Sequence, residues 1–151
     1  MRATSVARLF WVFFGAPANK FVASFIGSPA MNFFDVKMGA VNSGAAAVAL
    51  PGGKTARVRV GANVSAGESA ELGVRPEHLT LVDPEDQGAA FTGQVAIVER
   101  LGNATMLYVD TAAGQLIVEG DGNLVIRSGE RVGLAISESH AHLFGRDGAT
   151  L

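Results

Sequence analysis

Apolar and polar residues alternate in short runs along most of the chain, and glycine-rich turns separate these runs. The two-residue period is clear at 57–60, where Arg57 and Arg59 should face solvent, and it is typical of strands with one buried face. The pattern predicts strands at 32–38, 57–60, 79–82, 91–100, 105–110, 115–119, 123–127, 131–136 and 142–145, weaker strands in 41–50 around the turn 51–53, and a closing segment at 149–151. Many short strands with glycine turns favour a mainly β fold, an OB-fold-like small β-barrel (the oligonucleotide/oligosaccharide-binding type).

One stretch near the start has helical spacing instead, which adds one short N-terminal helix to this fold. Residues 18–26 place four apolar side chains on one face: Phe21, Val22, Phe25 and Ile26. Pro17 suits the first helical turn, Gly27 suits the stop, and Pro29 forces an extended exit. The chain therefore divides into an atypical N-terminal stretch (1–17), a linker helix with its exit (18–32) and the OB-like β-barrel domain (33–151).

The densest polar chemistry lies mid-chain, in the motif GVRPEHL at 73–79. Because Pro76 fixes its own φ and pushes Arg75 toward extended geometry, a strand should end just before the proline. Glu77 and His78 should then form a corner, and a strand should resume after them. The sequence before this corner is predicted to form one β unit, and the sequence after it another.

The motif 73–79 resembles the hallmark of an accessory C-terminal domain in the ATP-binding subunits of sugar ABC importers, the maltose and glycerol-phosphate type. Three further stretches agree with that family in the same order. Residues 19–32 resemble the segment that leaves the ATPase domain, and 98–103 and 142–144 resemble later landmarks. Four such motifs in order make a specific signal, which covers roughly Pro17 to Leu151.

The resemblance implies a transport-associated OB (TOBE) domain, without the ATPase domain, that works by binding rather than by chemistry. In that family the domain pairs with its twin, keeps two ATPase domains together and offers a docking face to regulatory proteins. It implies a cytoplasmic homodimer, peripheral to the inner membrane, with transporter subunits or regulatory proteins as partners. The residues expected to make such contacts are Arg75, Pro76, Glu77, His78, Glu99, Gly102 and Asn103.

The sequence lacks the motifs of a phosphoryl-transfer enzyme. The stretch 52–55 contains Gly-Lys-Thr but lacks the first glycine of a phosphate loop, and it fits a hairpin turn better. No apolar strand ending in acidic residues is available to hold Mg²⁺. Near the corner only Ser69 and Thr80 could act as nucleophiles, and nothing marks them as activated. We expect no catalysis, no ATP hydrolysis and no cofactor.

Composition excludes several other classes. The 151 residues are 48% hydrophobic and 17% charged, which is typical of a globular chain. A net charge of −2 gives no electrostatic footprint for nucleic acid, and the absence of cysteine excludes disulfides and thiolate metal sites. The longest apolar run, 9–14, is far shorter than the ~20 residues of a membrane-spanning helix.

The first residues imitate a secretory signal. Arg2 and Arg8 precede the short apolar run, and Ala16-Pro17-Ala18 follows it, although proline is unfavourable at a cleavage site. The alternatives are a core-facing helix or a displaced start codon.

Two metal hypotheses are open at this point. Glu138, His140 and His142 alternate, so on a strand they would share one face and could hold Zn²⁺. The alternative is that 137–141 is a turn, which we favour together with no metal. The acidic loop 83–88 lacks the ligand spacing of a calcium loop and is predicted to be a solvated turn.

A stand-alone oxyanion-binding module is the alternative function. Related small barrels hold molybdate-like anions at the interface of paired copies, through backbone N–H groups and Ser or Thr side chains. The residue types suited to this role are Gly93, Gly102, Asn103 and Thr105.

Overall fold

The structure, a computed structural model, describes residues 30–61 and 64–151. The N-terminal stretch 1–17 and the predicted helix 18–26 lie outside these residues. The strands of the described part are β1 (Asn32–Asn42), β2 (Ala45–Ala49), β3 (Thr55–Arg59), β4 (Ser69–Val74), β5 (Leu79–Val82), β6 (Phe91–Arg100), β7 (Ala104–Thr111), β8 (Gly114–Asp121), β9 (Arg131–Ile136) and β10 (Ala141–Phe144). No helix long and apolar enough to cross a membrane occurs among the described residues.

The first sheet has the strand order β10-β4-β1-β2-β3, and its neighbouring strands are antiparallel. Alternate residues of β1, including Phe34, Val36 and Met38, are buried, while the residues between them lie on the outer face. Phe34 pairs with Leu72 of β4, which in turn pairs with Leu143 of β10, so one buried row crosses three strands.

The second sheet has the order β5-β9-β6-β7-β8 and is also antiparallel. β6 pairs with β7 along most of its length but with β9 only over 91–94. A register shift between Val95 and Ile97 marks the point where β6 leaves β9. Beyond it, the segment 122–130 follows the edge of β6, and Ser128 Oγ donates to the Ala96 carbonyl at 2.7 Å.

The core lies between the two sheets. Phe34 of β1 and Phe91 of β6 meet edge to face, with ring centroids 5.1 Å apart, and Leu107 and Leu134 are fully buried in the same cluster. Burying one such side chain stabilises the fold by about 1.5–3 kcal/mol. The edge strands β3 and β10 of the first sheet approach each other, so this sheet curls. The predicted mainly β, OB-like architecture is confirmed.

Two sequence predictions about organisation are wrong. Residues 123–127 form no strand, because the Asp121 carboxylate accepts the Asn123 N–H at 2.7 Å and turns the chain there. The division at the corner also fails for the last strand. β10 follows the corner in sequence, yet it pairs with β4 and so belongs to the first sheet.

Candidate functional site

The motif 73–79 forms the passage from the first sheet to the second. β4 ends at Val74, and Arg75 is extended with φ −74° and ψ 148°, as the following proline requires. Pro76 is buried at the start of a 3-10 turn (Pro76–His78, hereafter the first crossover). The Leu79 N–H donates to the Pro76 carbonyl and begins β5. The predicted strand, corner and strand are all present.

The first glycine of the motif is required by packing. Gly73 lies on the outer face of the first sheet, beneath an apolar cluster of Met31, Phe33 and Phe144. A Cβ at this position would lie 2.6 Å from Met31 Sδ and 2.9 Å from the Phe144 ring. The two aromatic rings meet edge to face at 5.7 Å, and Phe144 is fully buried. Only glycine lets this cluster sit directly on the strand.

A second passage between the sheets lies beside the first. After β9, the 3-10 turn Glu138–His140 (hereafter the second crossover) returns the chain to the first sheet and leads into β10. Its last residue, His140, stacks on His78, the last residue of the first crossover. The ring centroids are 4.0 Å apart and the ring planes differ by 24°. The two corners are thus joined by a pair of imidazoles.

Burial and positively charged neighbours lower the pKa of His78 and of His142. Burial lowers the pKa of His78, the charge of His140 lowers it further, and Arg75 adds a smaller effect that Glu77 opposes. Burial also lowers the pKa of His142, and the charges of Arg75, His78 and His140 act in the same direction. The residues that form this histidine cluster are Arg75, His78, His140 and His142.

The zinc hypothesis fails on geometry. Glu138 and His140 lie in a turn, whereas His142 lies on β10, so the three residues do not share a strand face. Because the His78 and His140 rings stack in near-parallel planes, their in-plane lone pairs do not converge on one point. No group of three or more His, Asp or Glu side chains suited to a metal occurs within residues 30–61 and 64–151.

The other predicted contact residues lie in the β6–β7 hairpin. Glu99 is exposed near the end of β6, and Gly102 and Asn103 form the tight turn, where Gly102 has φ +85°. Gly122 packs against the Gly102 carbonyl, and Arg100 donates to the Leu124 carbonyl at 2.9 Å. The described contacts therefore tie this turn to the segment 122–130 and not to the histidine cluster.

Three large apolar side chains in or near this hairpin are exposed. Ile97 is 53% exposed, Leu101 is 54% exposed and Val125 is 88% exposed. Ile97 and Leu101 flank the last residues of β6, and Val125 follows Leu124, whose carbonyl accepts from Arg100. We call these three residues the β6 patch. The sequence pattern did not reveal these exposed residues. It predicts a strand at 123–127, in which Val125 would be one of the alternating residues, and it therefore does not mark Val125 as exposed.

The oxyanion residues are not assembled in the described structure. Gly93 packs against the Asp110 carbonyl at one end of the β6–β7 ladder, whereas Gly102 and Asn103 are in the turn at the other end, roughly 20 Å away along the strands. Thr105 is fully buried, and its hydroxyl has no hydrogen-bond partner within residues 30–61 and 64–151.

A cleft of about 660 Å³ also opens on the outer face of the first sheet. Asp35 of β1 lies directly opposite Glu71 of β4, and Lys37 and Arg146 line the same cleft. Its charged groups have both signs, so this cleft has no strong preference for an anion or a cation.

Comparison with known proteins matches this architecture. The MalK OB fold domain matches residues 27–79 and the TOBE domain matches residues 72–144, so the two overlap at the first crossover. The chain therefore carries a MalK-type OB fold domain and a TOBE domain, which together span residues 27–144. Both matches are to β-domains, and no catalytic domain is evident in the TOBE-type chain.

The curated relatives of this TOBE-type domain are importer subunits. The maltose/maltodextrin import ATP-binding protein MalK of Vibrio vulnificus is 42% identical over 135 residues, which are 87% of this chain and 36% of that protein. The sn-glycerol-3-phosphate import ATP-binding protein UgpC of Chromohalobacter salexigens is 39% identical over 139 residues, 90% of this chain and 36% of that protein. The domain thus spans little more than a third of the length of these relatives.

A solved structure of the cytoplasmic molybdate-binding protein ModG shares the fold. Its TM-score is 0.65 at 17% sequence identity, and the match covers 74% of this chain and 94% of that chain. At this identity the likeness concerns the fold alone.

Proposed function

We propose that this domain is the regulatory and dimer-forming module of an ATP-binding subunit that serves the import of sugars or glycerol phosphates in the cytoplasm. The observation that carries the proposal is the 42% identity to a maltose/maltodextrin import ATP-binding protein over 87% of the chain. The domain acts by binding. The energy of transport is supplied by a separate ATP-binding region of the subunit, since these relatives are named import ATP-binding proteins.

Self-association is proposed to use the β6 patch. Leu101 in the β6–β7 turn and Val125 in the segment 122–130 are large apolar residues exposed to solvent, and a self-complementary apolar patch suits a two-fold dimer. Glu99 and Asn103 border the patch and supply polar contacts at its rim. At the corner, Pro76 is buried, and the exposed Glu77 together with the half-buried Arg75 and His78 is proposed as a docking face for a regulatory protein.

The oligomeric state of the chain tests the dimer. Sedimentation equilibrium over a range of concentrations should give a dimer that Leu101→Lys or Val125→Lys converts to monomer. Val41→Lys is the matched control, since Val41 is a comparably exposed apolar residue (41%) on the first sheet. A wild-type chain that stays monomeric at high concentration, or equal effects of all three variants, would contradict the proposal.

Importer function is tested by domain replacement. The TOBE-type region of the Vibrio vulnificus relative is exchanged for residues 18–151 of this chain, and maltose uptake is measured in cells that lack the native subunit. Uptake above that of the subunit without any such region supports the assignment. Uptake no better than this truncated subunit, with the chimera present at normal abundance, argues against it.

A further inference from the structure

The contact between the two crossovers is made by ionisable groups. In the described residues after β1, the chain passes from the first sheet to the second through Pro76–His78 and returns through Glu138–His140. Each turn ends in a histidine, and the next residue, Leu79 or Ala141, is a buried residue that begins a strand. The His78–His140 stack therefore lies where both connections between the sheets meet.

We propose that the His78–His140 stack is an acid-sensitive joint, in which protonation of the imidazoles drives the two crossovers apart and loosens the packing of one sheet on the other. This inference concerns the domain itself and does not depend on its proposed role in an importer.

Charge repulsion is the first reason. Neutral imidazoles can stack at 4.0 Å, whereas two imidazolium ions at that distance repel each other even near water. Arg75 already places a positive charge on the same site, and His142 adds a third imidazole. Glu77 is the acidic group that favours the charged form of His78.

The neighbouring elements also carry charge. β8, which packs against the first crossover, carries Glu119, and the second crossover carries Glu138. β3, which packs against the second crossover, carries Arg57 and Arg59, and both are exposed. Of the charged side chains around the cluster, Arg75 lowers the pKa of both His78 and His142, and Glu77 raises that of His78.

The hydrogen bonding of His78 is the second reason. Its Nδ1 is buried and has no hydrogen-bond partner among the residues that the structure describes. A neutral ring tolerates this by placing its proton on Nε2, but a charged ring must carry an N–H at both nitrogens. Protonation would therefore bury a donor without an acceptor, which costs free energy unless the crossover moves.

The sign of the pH effect follows from the lowered pKa values. His78 and His142 have pKa values below the 6.5 of an unfolded chain. As pH falls through 6.5 toward the folded pKa values, the unfolded chain binds more protons, so stability is lost in that window and is full above it. All three histidines of the 151-residue sequence belong to the cluster, so no other side chain with an ordinary pKa in this range contributes.

The first experiment measures ring titration and stability together. Histidine ring NMR and urea unfolding are recorded between pH 7.5 and 5.0 for the wild type and for His140→Gln, a change at an exposed ring. The wild-type urea midpoint should fall with acid, His140→Gln should flatten this fall, and the pKa of His78 should rise in the variant. Equal pH slopes in both proteins, or an unchanged His78 pKa, would overturn the proposal.

The second experiment separates opening of the joint from global unfolding. The Ile117 N–H donates to Asn32 of the other sheet, whereas Leu107 is a fully buried residue of β7, inside the second sheet. Hydrogen-exchange protection of Ile117 should fall between pH 7 and 5.5 by more than that of Leu107, and His140→Gln should remove the difference. A parallel fall at both amides would mean that acid only unfolds the whole domain, and it would refute the joint.

Discussion

Asn32 and Ile117 are joined by two hydrogen bonds that connect the two sheets. The Asn32 side chain on β1 donates to the Ile117 carbonyl and accepts from the Ile117 N–H, both at 2.8 Å. Asn32 is only 7% exposed, and Ile117 lies on β8, an edge strand of the second sheet. The amide thus caps backbone groups at an edge that would otherwise be unpaired.

Replacing this amide should destabilise the domain. Asn32→Ala removes two hydrogen bonds and leaves the Ile117 backbone groups without those partners, so we expect a loss of about 2 kcal/mol in the free energy of unfolding. Urea unfolding at pH 7.5 measures it. Asn42→Ala, at an exposed position of the same strand, is the control and should change stability by less than about 0.5 kcal/mol. Equal effects of the two changes would show that the bridge contributes little.

The apolar cluster on Gly73 predicts a steric penalty. Gly73→Ala would push a methyl group into Met31 and the Phe144 ring, and such overpacking costs about 1–3 kcal/mol. Thermal unfolding compares it with Gly61→Ala, where a Cβ meets no atom of the described residues within 4 Å. Adding Met31→Ala to Gly73→Ala should recover part of the loss in a double-mutant cycle. If the two changes are simply additive, the clash is not the cause.

Removing the buried hydroxyl of Thr105 should stabilise the domain. This hydroxyl is fully buried with no partner in the described part of the chain, and Thr105→Val replaces it with a methyl group of similar size. Removing an unsatisfied buried hydroxyl should stabilise the fold by about 1 kcal/mol. The control is Thr92→Val, at an exposed position on β6. A destabilised Thr105→Val would indicate that the hydroxyl has a partner after all, such as a buried water.

The Arg131–Glu85 ion pair should contribute little despite its short distance. The two side chains meet at 2.7 Å, but they are 62% and 76% exposed. Exposed pairs contribute about 0–1 kcal/mol and weaken with salt. A double-mutant cycle with Arg131→Gln and Glu85→Gln at low and high salt measures the coupling. A coupling that stays large in high salt would contradict this expectation.

The local features of the corner could be predicted from sequence because they have local causes. Proline fixes the geometry at 75–76, and alternation identifies the strands on both sides. The tight turn after β6 also has a local cause, because Gly102 can adopt the positive φ that the turn requires.

Features that depend on distant residues could not be predicted in this way. His78 stacks on His140, and Asn32 reaches Ile117, through contacts that no short-range pattern encodes. The assignment of 123–127 to a strand failed because the Asp121 side chain competes with the strand ladder for backbone N–H groups. Because Val125 lies in 123–127, the β6 patch was not predicted either.

The place of β10 beside β4 has a consequence for biosynthesis. Leu143 completes a buried row begun by Phe34 and Leu72, so the first sheet is incomplete until the ribosome has released β10. Until then, one edge of β4 has no partner and is a template for pairing with another nascent chain. Because its early and late strands must meet, the domain should fold as one slow cooperative unit only once β10 has left the ribosome. Pairing of the four-residue strand β10 with this edge of β4 then protects the domain against co-translational aggregation.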